Sequence, residues 1–196
     1  MEGVETVPDP IAIFRTTFQR ASEACEDPEV MVLATVDPDG RPAVRYVLLK
    51  SFDDRGFVFF TNLRSRKARA LEAHPHAALA FYWTALGRQV RIEGRVEPVS
   101  TVEADDYFRT RPRASQIGAW ASEQSAPLES RQLLEQKVAE TARRFEGGTV
   151  PRPPFWSGFR VVPDAIEFWI SDPARLHERQ RFDRNRSTWT GSLLYP

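Results

Sequence analysis

Asp9-Pro10 reads as an N-cap followed by proline at the first helical position. Phe14, Phe18, Ala21 and Cys25 follow at helical spacing, which predicts a helix over residues 11–26. The period then shortens. Residues 30–36 are apolar on both faces, and Asp37-Pro38-Asp39-Gly40 is a strong turn signal before a second strand over residues 43–51. Asp53-Asp54-Arg55-Gly56 makes the next turn, and residues 57–61 a third strand. A short helix over 65–73 stops before Pro75, residues 77–83 form a strand, and residues 88–99 alternate cleanly after a loop at 84–87. In that stretch Val90, Ile92, Gly94 and Val96 share one face; Gln89, Arg91, Glu93, Arg95 and Glu97 share the other. Ser100-Thr101-Val102-Glu103 is a capping box opening a helix to about residue 110. A longer amphipathic helix over 128–145 ends at Gly147-Gly148, and three or four short strands are expected to close the chain.

Consecutive strands joined by tight turns must be antiparallel, which excludes a doubly wound parallel sheet. The pattern therefore predicts a mainly β fold with peripheral helices, a small antiparallel barrel, with an open α+β sandwich as the competing arrangement. At 196 residues the chain is expected to be a single domain over 1–196, with residues 1–8 a flexible N-terminus.

Composition narrows the function. The 27 basic and 27 acidic residues balance, so no global field draws in nucleic acid or an anionic membrane. One cysteine, Cys25, excludes an internal disulfide and a cysteine-rich zinc site. The longest apolar run, residues 77–83, is too short to span a bilayer, and the acidic start MEGVETVPDP is unlike a signal peptide, so a cytoplasmic location is expected. No glycine-rich phosphate loop occurs, so any phosphate must be held by side chains.

Three groups of polar residues stand out against apolar surroundings. Arg45 and Lys50 flank Tyr46-Val47-Leu48-Leu49, and Arg66-Lys67 opens a helix where backbone N–H groups favour an anion. Only three of the 27 basic residues are lysines (Lys50, Lys67 and Lys137). A point-charge ammonium kept in so arginine-rich a chain draws attention to its position. Tyr107 and Arg111, four apart, share a helix face and could grip one phosphate, with Ser115 following. In an extended stretch, Arg175, His177 and Arg179 would project to one side and together demand an anion or a partner. Each feature alone also fits a solvated surface charge.

Together, RYVLLK (45–50), FFTN (59–62), SRK (65–67), RQV (88–90), YFRTRPRASQIGAW (107–120), QS (124–125), FW (168–169) and RLHER (175–179) resemble the pyridoxine (pyridoxamine) 5′-phosphate oxidase family. The segments fall in the family's order over nearly the whole chain. The resemblance implies an FMN-binding split β-barrel of antiparallel Greek-key type, assembled as a homodimer with FMN at the interface. By that resemblance FMN is met by Arg45, Tyr46, Val47, Leu48, Leu49, Lys50, Phe60, Thr61, Arg66, Lys67, Gln89, Gln124, Ser125, Trp169 and Arg179. The phosphorylated B6 vitamer is met by Lys50, Tyr107, Arg111, Ser115, Arg175, Leu176 and His177, of which Arg175 and His177 are the catalytic candidates.

The implied reaction passes a hydride from substrate C4′ to flavin N5, with O2 reoxidising the flavin to give hydrogen peroxide. Neither metal, nucleic acid nor membrane is implied. The chain departs from the family in reading Ile170-Ser171 where Gln-Gly is usual, and Leu193-Leu194-Tyr195-Pro196 where Arg-Leu-Ala-Pro is usual. The arm that in this family often reaches over the substrate is expected to be shorter or supplied differently. Two other readings remain at this point: an FMN oxidase of the phenazine-precursor type, and a non-catalytic flavin- or pyridoxal-phosphate-binding barrel.

Overall fold

The computed structural model describes residues 8–196; most of the segment expected to be a flexible N-terminus lies outside them. Asp9 caps helix α1 (Pro10–Ala24), its carboxylate accepting the Ile11 N–H at 3.0 Å. Strands β1 (Val30–Val36) and β2 (Pro42–Leu48) pair around the Asp37–Gly40 turn, with Gly40 in the left-handed conformation. Strands β3 (Ser51–Asp53) and β4 (Gly56–Asn62) form a second hairpin, followed by α2 (Arg66–Ala73), β5 (His76–Trp83), a single 3-10 turn and β6 (Arg88–Pro98). Helices α3 (Thr101–Thr110), α4 (Arg113–Ala121) and α5 (Arg131–Arg144) precede β7 (Trp156–Ile170), β8 (Glu178–Asn185) and β9 (Thr188–Leu193).

All pairings are antiparallel, in the order β2-β1-β5-β6-β7-β4-β3, with β8 added to β7 and β9 to β8. The two ends of that path, β2 and β3, are consecutive in the chain. Leu49 donates its N–H to the Glu29 carbonyl beside β1, and Lys50 donates to the Val58 carbonyl on β4, each at 2.9 Å. This two-residue link therefore crosses from one edge of the sheet to the other and closes the barrel seam. It also interrupts the single strand expected over 43–51.

The closing strands differ from expectation. Instead of three or four short ones, the 15-residue β7 forms the spine of the fold. Its first half pairs with β4, its second half with β8, and most of its length with β6. The β6–β7 register shifts between Glu93 and Gly94, opposite the buried Pro163. A Cβ on Gly94 would meet the Val162 carbonyl oxygen at 2.0 Å, so only glycine permits this approach.

The alternation expected in β6 is present, with Val90, Ile92, Gly94 and Val96 all buried. These residues line a core that α1 plugs at one end. Phe14 is fully buried, with its ring 4.8 Å from Phe57 and 5.4 Å from Phe81. Trp83 also lies in this core. A second, smaller cluster of Phe108, Ile117, Val150 and Trp156 packs the helical layer against Phe60 on β4. Among the described residues no helix is long and apolar enough to cross a membrane.

Candidate active site

A cleft of about 670 Å³ opens beside the seam, between the end of β2, the end of β4 and the α3–α4 corner. It is lined by Tyr46, Val47, Leu48 and Lys50 from the seam, and by Phe60, Thr61 and Lys67 from β4 and α2. Tyr107, Arg111 and Ser115 come from the helical corner, and Gln124 from the loop beyond. Eleven residues singled out in the sequence are thus brought together. Among the described residues, three cations (Lys50, Lys67 and Arg111) line it, and no carboxylate does.

One end of the cleft is a polar cradle. The Lys67 ammonium donates to Thr61 Oγ1 at 3.1 Å, to Gln124 Oε1 at 3.0 Å and to Ser65 Oγ at 3.3 Å. Burial, then the nearby Arg45 guanidinium, bring its pKa down from 10.5 to about 8. Arg45 does not line the cleft. Its guanidinium donates back to Thr35 Oγ1 at 2.7 Å and to the Leu33 carbonyl at 3.2 Å. Arg66 stands just outside, held by Asp37 at 2.5 Å and 3.0 Å, while its backbone N–H donates to Ser125 Oγ. Leu49 points into the barrel core, so only its backbone is available to the cleft.

The other end is aromatic and cationic. Phe60 stacks on Tyr107 at 4.1 Å and on Trp156 at 5.4 Å. Arg111, the residue that terminates α3, lies with its guanidinium carbon 4.7 Å over the Trp156 ring. One of its nitrogens, Nη1, is buried without a hydrogen-bond partner. A buried donor left unpaired is costly, so this nitrogen marks where an acceptor is expected to bind. Burial raises the Tyr107 phenol's pKa and lowers that of Arg111. The α4 helix, which positions Ser115, was not read from the sequence; Pro112 at its N-cap was the available signal.

The remaining candidates form a second group on the outer face of β6, β7 and β8. Gln89, Trp169 and Arg179 stand directly opposite one another across the three strands. His177 packs on the Trp169 ring at 4.5 Å. The extended stretch expected over 175–179 is not present. Strand β8 begins only at Glu178, and Arg175 has φ +68°, so Arg175, His177 and Arg179 do not line up on one side. Nor does Arg179 lack a counter-charge: its Nε donates to the buried Glu167 at 2.8 Å. The row Tyr46–Val32–Ala80–Arg91–Glu167–Arg181 crosses the sheet in register. By strand count, the cleft's Tyr46 is separated from β6 by three strand spacings, about 14 Å along the sheet. The face between carries the exposed Val44, Tyr46 and Tyr82.

Comparison with known proteins agrees with this fold. Residues 18–144 match the family model "Pyridoxamine 5′-phosphate oxidase", and residues 156–196 match "Pyridoxine 5′-phosphate oxidase C-terminal dimerisation region". The chain is 57% identical over 190 residues to a pyridoxine/pyridoxamine 5′-phosphate oxidase of Myxococcus xanthus (strain DK1622), covering 96% of this chain and 92% of the relative. Its counterpart in Rubrobacter xylanophilus is 55% identical, covering 96% and 88%. Among solved structures, PhzG from Burkholderia lata 383, in complex with tetrahydrophenazine-1-carboxylic acid, superposes with a TM-score of 0.92 at 33% identity, covering 98% of this chain and 95% of that one. A pyridoxamine 5′-phosphate oxidase-related, FMN binding protein of Nostoc punctiforme PCC 73102 shares the fold, with a TM-score of 0.76 at 17% identity, covering 97% and 100%.

Proposed function

Because this chain belongs to the pyridoxamine 5′-phosphate oxidase family, we propose that it oxidises pyridoxamine or pyridoxine 5′-phosphate to pyridoxal 5′-phosphate, with FMN as cofactor. The observation that carries this reading is the cleft with three cations, no carboxylate among the described residues, and a buried unpartnered Arg111 nitrogen. Such a site fits the phosphoryl groups of cofactor and substrate.

The residues present fit FMN. Lys67, Thr61 and Gln124 form a ready donor and acceptor set at the N-terminus of α2, with Arg66 and the Ser125 hydroxyl at its edge. Tyr46, Val47 and Leu48 supply a seam-side wall. When bound, FMN supplies the acceptor for the hydride that leaves substrate C4′ and passes the electrons on to O2.

The protein's own task is placement. Lys50, Tyr107, Arg111 and Ser115 hold the substrate phosphate, with Arg111 already braced on Trp156. This quartet favours a phosphorylated vitamer over the carboxylated ligand in the PhzG structure. The second group, with Gln89, Trp169, Arg175, Leu176, His177 and Arg179, is supplied to the cleft by a second copy of the chain, making FMN an interface ligand. The dimerisation-region match and the exposed Val44, Tyr46, Tyr82 and Leu176 support that assembly. Arg175 orients the vitamer over the flavin and stabilises charge as its exocyclic proton leaves, with His177 a supporting contact.

The test is direct. Purified protein is expected to carry or take up FMN, and pyridoxamine 5′-phosphate added without oxygen is expected to bleach the yellow spectrum. A protein that refuses FMN, or a flavin that stays yellow, overturns the reading.

A further inference from the structure

We infer that Asp172 is a positioning residue for the substrate-facing loop: it closes a turn over residues 172–177 that sets Arg175 in its left-handed conformation and fixes which nitrogen of His177 donates. The inference rests on the reading that Arg175 and His177 meet the vitamer.

Four hydrogen bonds converge on Asp172. Its Oδ1 accepts the N–H groups of Ala174 at 2.8 Å and Leu176 at 3.2 Å. Its carbonyl accepts the Arg175 N–H at 3.1 Å. Its own N–H donates to His177 Nδ1 at 3.1 Å. With Nδ1 occupied as an acceptor, the neutral imidazole carries its proton on Nε2, which is left as the donor for a ligand. The ring is held from the other side by Trp169, at 4.5 Å. The loop is tied to the barrel where the Ser171 N–H donates to the Gly87 carbonyl at 2.8 Å.

Within its own chain this order buries little. Pro173, Ala174, Arg175 and Leu176 are all exposed, Leu176 by 73%. Arg175 nonetheless occupies φ +68°, which residues other than glycine rarely adopt. A loop exposed in its own chain that holds a strained arginine and a tautomer-fixed histidine is organised for a ligand.

The experiment uses the FMN-loaded enzyme with Asp172→Ala and Asp172→Asn. Three readouts are taken: kcat/KM for pyridoxamine 5′-phosphate, the FMN dissociation constant, and ring 15N–1H correlations of His177. The chain has only three histidines, so that spectrum is sparse. Asp172→Ala is expected to lower kcat/KM about tenfold, the worth of one to two net hydrogen bonds. It should leave FMN affinity within about twofold and, by loosening the turn that aims the backbone N–H at Nδ1, replace the Nε2–H signature with averaged tautomers. Asp172→Asn keeps the accepting oxygen and should restore kcat/KM to within about threefold of wild type. Wild-type kcat/KM and an unchanged imidazole spectrum in Asp172→Ala would overturn the inference, as would an Asn variant as impaired as the Ala one. If wild type itself fails to oxidise the vitamer, the proposed function falls, while the imidazole spectrum still reports on the turn.

Discussion

The cleft and the outer face of β6–β8 both concentrate cations, yet they treat them in opposite ways. On the outer face of the strands themselves, guanidinium groups have carboxylates. Arg91 pairs with Glu93 at 2.7 Å, Arg179 with Glu167 at 2.8 Å, and Arg181 with Asp183 at 2.9 Å. In the cleft, Lys50, Lys67 and Arg111 have none among the described residues. Neutral pairing makes a surface that can approach another protein, whereas unpaired cations make a site that waits for an anion. Partnering, more than the count of charges, tells the cleft from the face that a second copy is proposed to bring to it.

The largest expected effect removes the unpaired end of that contrast. Arg111→Ala should lower kcat/KM for pyridoxamine 5′-phosphate about a hundredfold, the scale of lost charge-assisted hydrogen bonds, with FMN still bound. Steady-state kinetics beside a flavin titration checks it, and near-normal kinetics would move the phosphate elsewhere. Arg175→Leu is expected to reduce kcat about thirtyfold while changing FMN affinity little, which asks whether the two regions meet in one site.

Next comes Lys67→Met, which should weaken FMN about tenfold. Wild-type affinity should itself decline as pH rises above about 8, by up to tenfold per unit, because the ammonium that phosphate needs is being lost. The Met variant should show no such slope. For the apoprotein fold the sign is reversed. Burial disfavours the Lys67 ammonium, so its cost to stability is fully present below about pH 8 and is relieved between there and 10.5.

The smallest effect is Glu167→Gln. Its carboxylate is 4% exposed, but the arginines beside it reach solvent, so about 1 kcal/mol is expected in urea unfolding of apoprotein at fixed concentration. Unchanged stability would break the comparison, because Glu167 would then not be holding the paired face together.

The sequence revealed one region better than the other. The first two turns, the capping box and the alternation of β6 are local signals, and the structure keeps all of them. Strand β7 was hidden because Arg160, Pro163 and Glu167 interrupt its apolar pattern. They are buried there for non-local reasons: Arg160 is held by Asp53 at 2.9 Å and Glu103 at 2.7 Å, and Glu167 by Arg179. In the cleft, Lys50, Lys67, Tyr107 and Arg111 were legible because scarce lysines and a Tyr-Arg helix spacing survive in one dimension, whereas Phe60, Thr61 and Gln124 came only through the family resemblance. That the second group lies strands away from the cleft was not legible, since it depends on sheet order. The Asp172-Pro173 dipeptide, a turn signal in its own right, was the overlooked clue to the loop that shapes Arg175.

The crossing at Leu49 and Lys50 has a consequence for how this molecule could be rewired. A circular permutant opened there would keep every strand, but it would let the barrel gape and would set a phosphate ligand on a loose end. Opened instead at the Asp37–Gly40 turn, it would lose the Asp37 brace on Arg66 and leave the crossing whole. This two-residue link is therefore both hinge pin and handhold, and the pocket comes into being only when the last two edges are fastened.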